Sequence, residues 1–244
     1  MSKIYFQALD EVIRSSLDLS DELKFDKTHG YHFHLVSLYG SMIELCFTIK
    51  ELEKCDSRIA IPIIFRTVLE AELDLKNLIE EPKYGYRLEL GFIRSWLEYL
   101  GVARRGENQF LKGLTQHPNL SDSIKQQKAR EKELLKKGVQ RIDIKEKFKL
   151  AEMEEEYGAV YPGLCSHTHN GLQALRERHG KISGKSYEMT YFKSMNSDEF
   201  SECALLAGDI LIRAMESINK VFKCWNAKKL ADVRLRFNQK VENV

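Results

Sequence analysis

The sequence predicts an all-α protein, a bundle of about seven to nine helices, and three observations carry that prediction. Proline occurs only four times in 244 residues and the glycines are scattered, a composition that favours long helices over strands and turns. Apolar residues recur at alternating steps of three and four over long stretches, the period of a helix with one buried face. Hydrophobic residues make up 43% of the chain, enough for a sizeable core.

Residues 3–16 place Ile4, Leu9, Val12 and Ile13 in a helical pattern, and a polar turn follows from Asp18 to Lys27. Thr28 is the expected N-cap of the next helix, whose seam is Leu35, Leu38, Met42, Leu45, Ile49 and Leu52. Asp56 and Ser57 punctuate, with Ser57 as a cap for a helix over 58–80. That helix carries Ile61, Ile64, Phe65, Val68, Leu69, Leu75 and Ile79 on a broad face and Ile59, Ile63 and Leu73 on a second. A helix apolar on nearly every side is central in a bundle. Pro62 falls in its first turn, where a missing N–H is tolerated.

Glu81-Pro82 marks the next boundary, followed by a helix over 83–103 with Leu88, Phe92, Trp96 and Leu100 at near four-residue spacing. A short helix and loop fill 106–120. The span 121–149 is polar and basic and reads as an exposed helix or hairpin. Helical residues 151–157 lead into a polar segment, then a helix runs to about Arg178. Residues 180–195 read as a loop or short extended excursion. Ser197 or Asp198 caps a long helix over 198–225, and an amphipathic helix over 228–242 closes the chain. The organisation expected is one all-α domain, residues 1–244, with a basic helical insertion over 106–150.

Net charge is +2, so no global bias points to nucleic acid or membrane. No apolar run approaches the roughly 18 residues of a membrane span, and no membrane partner is expected. The N-terminus lacks the apolar run of a signal peptide. Five cysteines with no Cys-x-x-Cys indicate reduced thiols and a cytoplasmic protein. Neither a Gly-x-Gly-x-x-Gly nor a Walker pattern occurs, and His29, His32 and His34 lack a carboxylate at a ligating spacing, so no cofactor and no metal are expected. Cys165 beside His167 has no nucleophile-elbow or protease signature around it and reads as a small buried thiol.

The candidate chemistry lies in two places. Arg66 and Glu70, at i and i+4, share a helix face with Ile59, Ile63 and Leu73 and can pair at least half buried. Such a pair either ties helices together or presents a guanidinium to an anion. Far downstream, Tyr161-Pro-Gly-Leu-Cys-Ser-His-Thr-His-Asn-Gly171 concentrates polar and titratable residues at a helix break. With Ser166 as N-cap, His169 stands in a first turn beside free N–H groups, a setting suited to phosphate. In a continuous helix Ser166, His169, Gln173 and Arg176 share a polar face; a break at Asn170-Gly171 would cancel that alignment. His167 lies about 200° around the helix from His169, so the two are not expected to serve one site. A neutral imidazole at the edge of a cleft can act as general acid or base, which makes His169 the candidate.

Two basic stretches could follow a phosphate backbone. Residues 121–149 hold ten Lys and Arg against five Asp and Glu, among them Lys125, Lys128, Lys136 and Lys137. The segment from Lys220 to Lys240 holds seven against Asp232 alone.

The Arg66-x-x-x-Glu70 helix, followed late by Tyr161, Leu164, Ser166 and His169 in a Tyr-x-x-Leu-x-Ser-x-x-His pattern, resembles a bacterial all-helical family of unknown function over roughly residues 30–215. It is in turn similar to HEPN-type helical domains, many of which are ribonucleases of toxin and phage-defence systems. That resemblance implies an all-α, often dimeric protein in which an arginine and a histidine cooperate on RNA without a metal. HEPN ribonucleases carry Arg-x(4–6)-His on one helix. No arginine here precedes a histidine by that spacing, so the site would be assembled between helices, from Arg66 or Arg176 with His169. The expected roles are Arg66 on the phosphate, His169 as acid or base, and Glu70 and Ser166 orienting them. Arg176, Lys125, Lys128, Lys136 and Lys137 are expected to bind RNA. The alternative is a non-catalytic helical module that binds a protein partner or forms a homodimer.

Overall fold

The computed structural model describes residues 2–54, 59–183, 186–191 and 200–242. The chain is all-α apart from one small hairpin. The α-helices are α1 (Ser2–Glu22), α2 (Gly30–Leu52), α3 (Ile61–Glu80), α4 (Tyr84–Arg105), α5 (Lys112–Thr115), α6 (Leu120–Lys136), α7 (Ile144–Leu150), α8 (Glu154–Ala159), α9 (Tyr161–Thr168), α10 (Leu172–His179), α11 (Ser201–Phe222) and α12 (Ala227–Glu242). These twelve, among the described residues, exceed the seven to nine expected because the stretches 106–120 and 150–180 break into short helices. Strands β1 (Gly180–Ser183) and β2 (Ser186–Met189) pair antiparallel, Gly180 opposite Met189, where a loop or extended excursion was expected.

Two compact units divide the chain: residues 1–80 with 148–244, and residues 81–147. In the first unit α11 packs on α1, α2 and α3, and α3 also packs on α2 and α9. Helix α3 is central, as its apolar girth predicts; Phe65, Val68, Leu69, Leu73, Leu75 and Leu78 are buried. The α2 seam is Leu35, Tyr39, Met42, Cys46 and Ile49, so Tyr39 and Cys46 take the inward places expected of Leu38 and Leu45. Helix α1 runs into the predicted polar turn as far as Glu22 because Leu19 is fully buried. Thr28 does not cap α2: His29 holds that position, and Thr28 donates from N–H and Oγ1 to Asp26 in the preceding turn. The predicted caps at Ser57 and at Ser197 or Asp198 lie outside the described residues. Gly208 of α11 is required by close approach, since a Cβ there would fall 2.6 Å from the Phe237 ring of α12.

A chain of charges joins α3, α11 and α12. Arg213 grips both oxygens of Glu72 at 2.6 and 3.1 Å and also donates to Asp209. Arg234 in turn bridges Asp209 at 2.8 Å and Glu216 at 2.8 and 3.2 Å. Lys220 meets Glu80, Lys229 meets Glu22, and Lys240 meets Glu11. Four of the seven cations in the basic C-terminal stretch thus pair with carboxylates on other helices.

In the second unit α4 packs on α6. Leu100, Ala103, Leu111, Leu120 and Ile124 form one buried cluster, and Leu90, Ile93 and Leu134 another. Because α4 belongs to this packing, the unit begins at Glu81 and not at 106. The four-residue row Leu88, Phe92, Trp96 and Leu100 is not the inward face. Steps of four drift 40° each around a helix, and the buried row is Leu90, Ile93 and Leu100, with Leu97 partly buried against it. Phe92 is 63% exposed and Trp96 36%, and with Tyr99 they form a stacked row, centroids 6.3 and 5.2 Å apart.

Candidate functional site

The site grows from α3 and α9, which pack against each other. Arg66 and Glu70 stand on one face of α3, and Arg66 Nε donates to Glu70 Oε1 at 2.9 Å. Helix α9 begins at Tyr161, with Pro162 in its first turn where no N–H is needed. Tyr161 is buried, packed edge-on against Phe148 at 5.0 Å and stacked with Tyr157. Its hydroxyl donates to Glu70 Oε1 at 2.7 Å and accepts from Arg66 Nη2 at 3.0 Å. Arg66, Glu70 and Tyr161 therefore close a ring of three hydrogen bonds. Burial, and then the Glu70 carboxylate accepting its proton, push the Tyr161 phenol well above its ordinary value, so it remains protonated.

The other end of α9 completes the arrangement. Arg66 Nη1 lies 3.1 Å from His169 Nε2. A guanidinium only donates, so Nε2 is the acceptor and the resting imidazole carries its proton on Nδ1. His169 itself is exposed, whereas the Arg66 side chain retains 18% of its surface and Glu70 35%. The three contacts engage three of the five guanidinium N–H groups. The arginine is thus held on two sides by its neighbours and meets solvent beside a neutral imidazole.

The two stretches separated by about a hundred residues do meet, but not by the local geometry expected. Ser166 is not an N-cap. Helix α9 starts five residues earlier, and Ser166 lies inside its last turns; its carbonyl accepts from Gly171 N at 2.7 Å and helps to end the helix. His169 is the C-cap of α9 and stands at the negative end of that short helix, away from any free N–H groups. The break at Asn170-Gly171 is real: Asn170 has φ +52°, and a Cβ on Gly171 would fall 2.5 Å from Ser166 Oγ, so this turn requires glycine. The break cancels the expected face. Arg176 lies exposed on α10 and Arg66 is the arginine at His169.

His167 belongs to a different cluster. It packs edge-on against Phe200, lies 3.6 Å from Glu177, and is approached by Arg178 at 3.3 Å. Burial, then the Arg178 charge, hold its pKa below the ordinary value and favour a neutral ring. Arg178 also donates to the His167 carbonyl at 2.8 Å and to Asn170 Oδ1 at 3.1 Å, clamping the turn that carries His169. Cys165 is half buried and forms no disulfide. Sequence reasoning missed Arg178 and gave Tyr161 no role. The phenol lies eight residues before His169, more than two turns away, and only the helix start at Tyr161 turns it toward Arg66.

Of the residues expected to bind RNA, Lys125, Lys128 and Lys136 lie with Lys132 on one exposed stripe of α6 at steps of three and four, whereas Lys137 caps the helix and pairs with Glu133 at 2.7 Å. Among the described residues no set of three or more His, Cys, Asp or Glu side chains is placed to hold a metal ion; His29 and His32 stack at 4.7 Å. No described helix is long and apolar enough to cross a membrane.

A family model, described as Family of unknown function (DUF5677), matches residues 32–186. The chain belongs to that family. The matched stretch contains every member of the cluster, Arg66, Glu70, Tyr161 and His169, while α11 and α12 lie beyond it. Comparison with curated proteins and with solved structures gave no match. Membership in DUF5677 therefore carries no activity, and the chemistry rests on the geometry of the site.

Proposed function

We propose that the Arg66–His169 site cleaves RNA without a metal. The observation that supports this reading is the 3.1 Å contact between a partly exposed guanidinium and an unprotonated imidazole nitrogen. In the proposed step a ribose 2′-hydroxyl attacks the adjacent phosphorus. The incoming phosphate draws Arg66 Nη1 off His169 Nε2, the freed Nε2 takes the hydroxyl proton, and the 5′-oxygen leaves with a proton from water. The products are a 2′,3′-cyclic phosphate and a 5′-hydroxyl end. Arg66 neutralises the charge that gathers on the non-bridging oxygens, and Glu70 and Tyr161 hold it in place. Ser166, given an orienting role on sequence grounds, acts only through the turn that aims His169. This chemistry accords with the HEPN-type ribonucleases of toxin and phage-defence systems that the sequence resembles, with the Arg–His pair assembled between helices.

The test is incubation of the pure full chain with total RNA in excess EDTA, with end-group analysis. Wild-type protein is expected to leave 2′,3′-cyclic phosphates, and His169→Ala to leave the RNA intact. Equal cleavage by the two proteins, or none by either, overturns the proposal.

A second reading, a non-catalytic interaction or dimerisation module, is favoured by the exposed row of Phe92, Trp96 and Tyr99. In that case the Arg66 contacts serve only to lock α9 to α3. Sedimentation of wild type against Trp96→Ser examines it directly: a dimer lost in the variant supports it, and two monomers overturn it.

A further inference from the structure

The second compact unit contains a cavity of about 440 Å³ lined by Glu81, Lys83, Tyr86, Arg87, Lys137 and the chain from Gly138 to Gln140. We propose that this cavity binds a phosphate group, carried by a nucleotide or by a nucleic-acid strand. The inference stands whether or not Arg66 and His169 cleave RNA.

Charge is the first argument. The unit as a whole holds fifteen Lys and Arg against nine Asp and Glu, whereas the rest of the chain is net negative. Three cations line the cavity and only one carboxylate, Glu81, opposes them. Two other arginines of the unit are matched closely. Arg130 holds both oxygens of Glu89 at 2.6 and 2.8 Å, and Arg94 holds Glu131 at 3.0 Å. In the cavity the pairing is looser. Lys83 has no ion pair among the described residues, and Arg87 reaches Glu146 only at 3.4 Å with both side chains solvated. Lys137 shares the Glu133 carboxylate with Arg130. An arriving dianion meets one unpaired cation, Lys83, and two whose exposed pairs yield readily.

Shape is the second argument. Gly138 ends α6 in a left-handed conformation, φ +77°, with Gly138 N donating to Leu135 O and Val139 N to Leu134 O. That turn folds residues 138–140 back as one wall. Nothing lies within 4 Å of where a Cβ of Gly138 would stand, so the wall is open. The Lys137 ammonium stands 5.5 Å over the half-exposed Tyr86 ring, which positions it without neutralising it. The volume is that of a small-ligand site.

Another cavity makes the opposite case. About 390 Å³ in volume, it is lined by Glu72, Glu80, Glu152, Glu156 and Glu216 against Lys76, Arg213 and Lys220. Two of those three cations are already paired, with Glu72 and Glu80, so it repels an anion.

The test is equilibrium titration of the full chain with inorganic phosphate, AMP, adenosine, and ten-nucleotide 2′-O-methyl strands with and without a 5′-phosphate. These strands lack the 2′-hydroxyl and cannot be cleaved by the proposed chemistry, so failure here is distinguishable from failure of the ribonuclease reading. AMP or a strand is expected to bind where adenosine does not. The Lys83→Ala/Arg87→Gln double variant should weaken that binding at least ten-fold, with an unchanged melting temperature. Lys132→Ala, on the exposed stripe, should leave AMP binding unchanged. Preference for AMP and 5′-phosphorylated ends assigns a terminal phosphate, and equal binding of both strands assigns the backbone; either result supports the site. Absence of binding by every phosphate probe, equal binding of AMP and adenosine, or indifference to the double variant overturns it.

Discussion

Helix α3 carries two arginine–carboxylate clusters less than two turns apart, and they differ in kind. Glu72, 5% exposed, is held bidentately by Arg213, which also donates through Nη1 to Asp209. Arg234 and Glu216 extend the chain to α12. Every partner there is a carboxylate or a guanidinium, and the cluster's charges are used up in joining helices. Glu70 sits on a solvent-facing edge with Arg66, and there the other partners are a phenol and an imidazole. Each arginine spends three of its five N–H groups internally. An Arg/Glu pair on a helix is therefore not by itself a signal of function; what separates the two is the chemistry of the other partners, carboxylates at Arg213 and a phenol and a titratable ring at Arg66.

The sharpest way to break this contrast is to remove one arginine from each cluster. Arg213→Ala strands a buried carboxylate and should cost about 3–5 kcal/mol, read as a fall in melting temperature of about ten degrees or more. Arg66→Ala leaves Glu70 with Tyr161 and with solvent, so it should cost far less stability while abolishing RNA cleavage. A comparable loss of stability in both variants would mean that the two clusters are one kind of structure.

His169→Ala should lower cleavage by about 10²- to 10⁴-fold, the usual range for a lost acid–base group, with melting unchanged because the ring is exposed. His167→Ala should instead lower stability, since that ring is packed on Phe200 and held by Arg178. Reversal of the two outcomes would exchange the roles assigned here.

Gly171→Ala tests the turn between α9 and α10. The added methyl collides with Ser166, and the C-terminal cap of α9 must shift. Cleavage should fall by about ten-fold or more, since small misplacements near a reacting group are costly, with a stability loss of about 1–3 kcal/mol from overpacking. Full activity in that variant would show that the turn does not aim His169.

The smallest effect is in pH. Burial raises the Glu72 carboxyl above its ordinary value despite Arg213. The folded state then holds that proton more tightly than the unfolded chain, so this group's contribution to stability is fully present below about pH 4.3 and declines as pH rises from there. Glu133 in the second unit is the reverse case: Lys137 and Arg130 lower its carboxyl to about 2, and its contribution is lost only as pH falls toward that value. Glu72→Gln should flatten the decline above pH 4.3 in urea midpoints, and Glu133→Gln should not. An unchanged slope in Glu72→Gln would show that Glu72 titrates as an ordinary surface carboxylate.

Much of the helical order was legible because it rests on periodicity, which is local. The apolar girth of 61–80 placed α3 at the centre, and Glu81-Pro82 marked the end of that helix. The spacing of Leu88, Phe92, Trp96 and Leu100 left the inward face of α4 undecided: a row at steps of four drifts around the helix, and the aromatic row Phe92, Trp96 and Tyr99 turned outward. At the candidate site, Arg66, Glu70 and His169 could be named from residue type and spacing. The start of α9 at Tyr161 could not, because Pro162 serves equally as a breaker or as a first-turn residue.

By itself, then, the chain order determined which segments become helices and which polar residues stand apart from the apolar faces, since both depend on neighbours within one or two turns. Only the tertiary structure decided that Arg66 meets His169, that Tyr161 closes the ring with Glu70, and that Lys229, Arg234 and Lys240 of α12 pair with carboxylates on other helices. Those are choices among partners far apart along the chain. They are settled by which buried faces pack together, and packing is a property of the whole set of helices.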